Sequence, residues 1–190
     1  MRPMLAALVL VVLSSVSACS EDPPLDTSTT PSETPSGTAS ASETPTSELP
    51  PARDACTVLD PQDVGQVLGT PVEAVTTKSG CRFANPDDPA TTSLGISQGE
   101  LTASGGLEGA RAGVGTVIEG EVEELPDVGD GAFVIVGPAF GDDAPTGGGA
   151  VALGSSLIQL TVIPGPGATE TDVRARTVGV LTLIAEQARA

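Results

Sequence analysis

Three cysteines, a single lysine and no histidine limit the chemistry this chain can do. Without histidine there is no Ser-His-Asp or Cys-His nucleophile and no imidazole to hold zinc. Lys78 has Val75 three residues before it, so the Ser-x-x-Lys pair of penicillin-binding enzymes is absent. No Gly-x-Ser-x-Gly elbow is expected, and no phosphate-binding Gly-Lys-Ser/Thr loop occurs. Gly147-x-Gly149-x-x-Ala152 has a dinucleotide-like spacing, but no strand is predicted before it and no helix after it. The run reads as a glycine-rich approach to a hairpin.

Carboxylates are the acids and bases that remain, and an acidic chain brings many together by chance. The densest set is Glu119, Glu121, Glu123, Glu124, Asp127 and Asp130. In an extended run Glu119, Glu121 and Glu123 point one way while Ile118 and Val122 point the other, which describes a solvated face. A calcium site is the alternative, although no EF-hand spacing occurs. Asp87-Asp88 and Asp142-Asp143 read as loop acids. No catalytic, cofactor-binding or metal-ligating residue is assigned, no cofactor is expected, and the chain is not expected to be an enzyme.

The cysteines fall into two groups. Cys19 follows Met1-Arg2-Pro3, an apolar run from Met4 to Leu13 and the small residues Ser14 to Ala18, which is the order of a signal peptide over residues 1–18. The apolar run is about ten residues long, and a membrane-spanning helix needs about 20. Val16-Ser17-Ala18-Cys19 resembles the lipobox of bacterial lipoproteins, whose cysteine is joined to diacylglycerol before the signal is removed. That resemblance implies lipidation at Cys19; an ordinary secretory signal with a chance cysteine is the alternative. Two acyl chains hold a protein on a membrane where one gives only marginal binding. The lone Arg2 argues against a twin-arginine signal.

Cys56 and Cys81 then remain as an even pair in an oxidising compartment and are expected to form a disulfide. Closing a loop of about 26 residues stabilises a fold by roughly 3.5 kcal/mol through loop-closure entropy. A two-thiolate metal site is the alternative, but it has no histidine and no Cys-x-x-Cys to complete it.

Composition divides the chain that must position these residues. Residues 19–54, beginning at Cys19, are rich in Ser, Thr, Pro and Glu and nearly free of apolar side chains, so they are expected to form a disordered tether. As a flexible coil such a segment spans roughly 30–35 Å. Its Ser/Thr/Pro content also makes it a candidate glycosylated stalk. Residues 55–190 are expected to form one extracytoplasmic domain, large enough to bury about two thirds of its unfolded surface. This domain carries 18 acidic against 6 basic residues, a net charge of −12. No nucleic-acid partner is expected, because phosphate binding needs a basic footprint. Anionic headgroups should also repel the domain itself.

Within the domain, Asp60 suits an N-cap, Pro61 a first helical position and Gly69 a C-terminal stop, with Leu59 and Val64 as a hydrophobic staple. Extended runs follow at Val72 to Thr77, Gly80 to Ala84 and Thr92 to Gln98, a half-buried meander. Glu100 to Ala112 is expected to be helical in spite of Gly105, Gly106 and Gly109. Strands are expected at Val114 to Leu125, Gly131 to Val136, Gly149 to Leu153 and Leu157 to Ile163, the last two as a hairpin. Gly141 to Pro145 reads as a loop. Thr169 and Asp172 suit a capping box, and Val173, Thr177, Val180, Leu181, Ile184 and Ala188 mark one face of a closing helix. The fold class expected is α+β, an antiparallel sheet of about six strands packed by two or three helices.

Cys56-Thr-Val-Leu59, Val67-Leu68-Gly69, Gly80-Cys81-Arg82-Phe83 and Val128-Gly129-Asp130-Gly131-Ala132, placed after a lipobox and tether, resemble the actinobacterial lipoproteins grouped as domain of unknown function 3558. The resemblance implies an envelope-exposed, disulfide-bearing domain with no established activity. The expected role is a binding or sensing module for a small or lipidic ligand, held to the cell membrane through Cys19 on the extracytoplasmic face. The alternative is an envelope-protein interaction or structural component without a ligand pocket.

Overall fold

The computed structural model describes residues 50–139 and 141–189. The expected signal segment, Cys19 and the tether as far as residue 49 lie outside the described residues. In chain order the elements are α1 (Ala55–Val58), α2 (Pro61–Leu68), β1 (Glu73–Thr77), β2 (Gly80–Ala84), β3 (Ser93–Glu100), α3 (Gly106–Gly115), β4 (Val122–Leu125), β5 (Ala132–Ala139), β6 (Asp142–Leu153), β7 (Ser156–Ile163) and α4 (Glu170–Gln187). The seven strands form one antiparallel sheet in the order β1-β2-β3-β7-β6-β5-β4. The α+β arrangement is as expected, with seven strands and four helices, α1 being a single turn.

Local chemistry sets most helix ends. The Asp60 carboxylate accepts from the Gln62 N–H at 2.7 Å, Pro61 opens α2, and Gly69 closes it in the left-handed region. At α4 the Thr169 hydroxyl accepts from the Asp172 N–H and the Asp172 carboxylate accepts from the Thr169 N–H, a reciprocal capping box. α3 starts six residues later than the expected Glu100, because the β3–β7 ladder runs on through Glu100 opposite Ser156. The chain then turns through Gly105 and Gly106, both at φ +71°, before a helix can begin.

Two expected boundaries are overturned. Val114 and Gly115 finish α3 instead of opening a strand, and only Val122–Leu125 is extended. Val114 and Ile118 are held there by packing against the sheet beside Phe133 and Ile135. The expected Gly141–Pro145 loop lies largely within β6, where Pro145 pairs with Pro138 beside a shift in register. Two prolines facing each other at such an irregularity cost the ladder little.

The Gly147–Gly149 run also lies in β6, in the middle of the sheet. A Cβ on Gly147 would fall 2.1 Å from the Thr177 hydroxyl of α4, and one on Gly148 would fall 2.6 Å from Ile118 Cδ1. The glycines let helical segments seat directly on both faces of β6. On one face Phe83, Leu94, Val134, Val151 and Ile158 form the main core with Leu59, Val64, Leu68, Leu181 and Ile184. On the other, Phe133, Ile135, Ala150 and Leu157 pack under Ala110 and Ile118.

The folded part begins ahead of residue 55. The Ala52 N–H donates to the Ser156 hydroxyl at 3.0 Å, the Arg53 N–H donates to the Ala188 carbonyl at 2.9 Å, and Asp54 caps α1. Among the described residues no helix is long and apolar enough to cross a membrane.

Candidate functional site

α3 packs on β5, β6 and β7, which leaves the β1-β2-β3 half of the same sheet face without a helix over it. Register carries one row across that half: Val75 lies opposite Arg82, Arg82 opposite Gly95, and Gly95 opposite Thr161. Ser97 and Gln159 form the next row on the same face, because side chains two residues apart share a face. The twist of the sheet and the last turn of α3 at Val114 make this area a groove of about 430 Å³. A Cβ built on Gly95 meets nothing within 4 Å, so its floor is open. The Arg82 guanidinium approaches the Ser93 hydroxyl at 3.4 Å and pairs with no carboxylate among the described residues. Val75 and Ile163, 60% and 54% exposed, stand on the same half.

The groove lining includes Arg82, Ser93, Ser97, Gln159 and Thr161 but no aspartate, glutamate or lysine. It offers one fixed positive charge, hydroxyls and an amide beside the apolar side chains of Val114 and Ile163. Gly95-Ile96-Ser97-Gln98-Gly99 does have Gly-x-Ser-x-Gly spacing, which corrects the expectation that the pattern is absent. All five residues lie inside β3, paired with β7 throughout, and not at a strand-to-helix turn. Ser97 therefore has neither the exposed elbow geometry nor, in a chain without histidine, an imidazole base.

The residues singled out from sequence occupy other places. Cys56 and Cys81 are bonded, their Cα atoms 5.7 Å apart, and tie α1 to β2. The acidic set is divided: Glu119, Glu121 and Glu123 border one depression beside Arg174, while Glu124 and Asp130 lie elsewhere. Glu123 pairs with Arg174 of α4, with Nε to Oε2 at 2.6 Å, while Glu124 pairs with Arg111 of α3. The Asp130 carboxylate accepts from the Gly154 N–H at 2.6 Å and grips the β6–β7 turn. The hydrogen bond from Arg174 holds the Glu123 carboxyl below the ordinary glutamate range.

Ile118 is buried and Glu119 and Glu121 are exposed as expected, but the alternation is reversed at β4: Val122 is exposed, and Glu123 is half-buried because it shares the main-core face with Val134. Among the described residues no group of three or more His, Cys, Asp or Glu side chains is placed to hold a metal ion. Arg82, Ser97, Gln159 and Thr161 were not singled out from sequence. Arg82 alternates with the inward Cys81 and Phe83, which marks it as outward, but only the end of α3 determines that this outward face stays open.

No family model matches the chain, and no curated protein is significantly similar to it.

Proposed function

We propose that the chain is a membrane-anchored extracytoplasmic lipoprotein, of the kind the domain of unknown function 3558 resemblance implies, whose domain binds a small polar ligand on the open half of its sheet. The observation that carries the binding role is the groove of about 430 Å³ between β2, β3, β7 and the end of α3. Pockets for small ligands span roughly 300–1,000 Å³ and fix orientation with a few polar groups. The Arg82 guanidinium, the hydroxyls and the Gln159 amide would fix the orientation of a polar ligand, and Val114 and Ile163 would contact its carbon skeleton. The anchor rests on the signal-peptide and lipobox order ending at Cys19, and the Cys56–Cys81 disulfide is in keeping with an oxidising compartment.

A second reading, a protein-interaction module, is favoured by Val75 on the edge strand β1 and Ile163 at the end of β7, which leave apolar side chains exposed on the open face. Native mass spectrometry of the full chain extracted from its membrane in mild detergent separates the two. A small-molecule mass increment that disappears in Gly95→Phe, which fills the open floor, supports the ligand reading. An increment that survives Gly95→Phe removes the groove as its site. A co-purifying protein lost in the same variant favours the second reading.

A further inference from the structure

Resting on that groove reading, we infer that its ligand is a small polyhydroxy monocarboxylate, its carboxylate held by Arg82 and its hydroxyls by Ser97, Gln159 and Thr161. Three features of the face argue for this chemistry. The first is charge. Acidic residues outnumber basic ones by 18 to 6 in residues 55–190, yet none lines the groove, and its one charged side chain is cationic. A depression between β4, β5 and the start of α4 differs in being lined by Glu119, Glu121, Glu123 and Glu170 with Arg174. Arg174 is already paired there, whereas Arg82 has only the Ser93 hydroxyl near it.

The second is that Arg82 is not tied up by a carboxylate: among the described residues its guanidinium has one hydrogen bond, a long one to the Ser93 hydroxyl. In Gly80-Cys81-Arg82-Phe83, Gly80 turns the chain at φ +152° against the Ile96 carbonyl, Cys81 holds the disulfide and Phe83 fills the core. Arg82 alone points away from all three. Its planar fork matches a carboxylate in bidentate fashion.

The third is what the face lacks. There is no carboxylate to meet an α-ammonium, which argues against a zwitterionic amino acid. One guanidinium neutralises one negative charge, so a dianionic phosphate would leave an uncompensated charge on a domain of net −12. The chain has no Trp or Tyr on which a sugar ring could stack, so recognition falls to hydrogen bonds and charge.

The test is an amide NMR titration of the full chain in detergent with gluconate, with sorbitol as the same polyol without the carboxylate, and with inorganic phosphate. Gluconate should shift the Gly95, Ser97 and Thr161 amides, and sorbitol and phosphate should bind more weakly. Arg82→Gln should lower gluconate affinity about tenfold or more, the loss expected for hydrogen bonds to a charged group. Lys78→Gln, at the nearby β1–β2 turn, should leave it unchanged, and Gly95→Phe should abolish binding. If sorbitol or phosphate binds the groove as tightly as gluconate, or if Arg82→Gln binds gluconate as wild type does, the carboxylate assignment is overturned while the groove stands. If none of the three probes moves a groove amide, the groove reading fails together with it.

Discussion

Glu123 and Glu124 are neighbours in sequence but face opposite sides of β4, and each meets an arginine from a different helix. Arg174 reaches Glu123 from α4, while Arg111 reaches Glu124 from α3 and also lies over the Phe133 ring at 5.9 Å. Such pairs fasten the outermost strand from both faces. A carboxylate depressed on folding contributes stability above its unfolded pKa and loses it as pH falls through its folded pKa. Glu123→Gln should therefore be less stable than wild type at pH 7, with the two converging below about pH 4, the ordinary glutamate range. With side chains 51% and 40% exposed, the Arg174–Glu123 pair should contribute under about 1 kcal/mol. Urea unfolding at pH 7 and pH 3.5 measures the difference, and a gap that does not narrow in acid removes the pair from the account. Gly148 is the opposite kind of residue, one whose missing side chain matters. Gly148→Val would drive a Cβ into Val114 and Ile118, so it should lower stability by about 1–3 kcal/mol. An unchanged melting temperature would mean that α3 does not press on β6 as described.

α1 has four residues, too few for a helix to persist by its own hydrogen bonds. It is held by the Asp54 cap at one end and by Cys56, whose bond to Cys81 crosses 25 residues of sequence. Reduction should lower stability by about 3 kcal/mol, and hydrogen exchange should rise first in α1, β1 and β2. Freely alkylated Cys56 and Cys81 in the folded, unreduced protein would contradict this. Caps and alternation made α2, α4, β2, β3 and β7 legible in the sequence, because there the local preferences and the final packing agree. The second half of β6, Gly149–Leu153, was legible as the partner of β7, but its first half was not, since Gly141 to Pro145 reads as loop and Gly147-Gly148 as a hairpin approach until the helical segments on both sides are known to require them. α3 was misplaced for a related reason: pairing of Glu100 with Ser156 is a long-range contact that outweighs helix propensity. The groove inherits both difficulties. Its residues alternate as any half-exposed strand does, and only the point where α3 stops separates a covered face from an open one.

A formal net charge of −17 over 190 residues sets how the proposed anchor must act. The domain should be repelled by anionic headgroups, and the attachment proposed above rests on the lipobox order ending at Cys19. Each buried methylene of an acyl chain contributes about 0.8 kcal/mol, and two chains hold where one is marginal. If Cys19 is the acylated atom, Cys19→Ser removes the thiol that carries the lipid and the modification that precedes cleavage. The variant should fail to take up an alkyne fatty acid and should keep residues 1–18, visible as a higher intact mass. Replacing residues 1–19 with a cleavable secretory signal lacking cysteine should then release the protein from the membrane fraction, because the acidic domain is repelled by anionic headgroups. Label uptake at wild-type level in Cys19→Ser would overturn the lipobox reading. Retention of the signal-swapped chain on membranes would place the attachment elsewhere, with the exposed Val75 and Ile163 of the open face as the first surface to substitute.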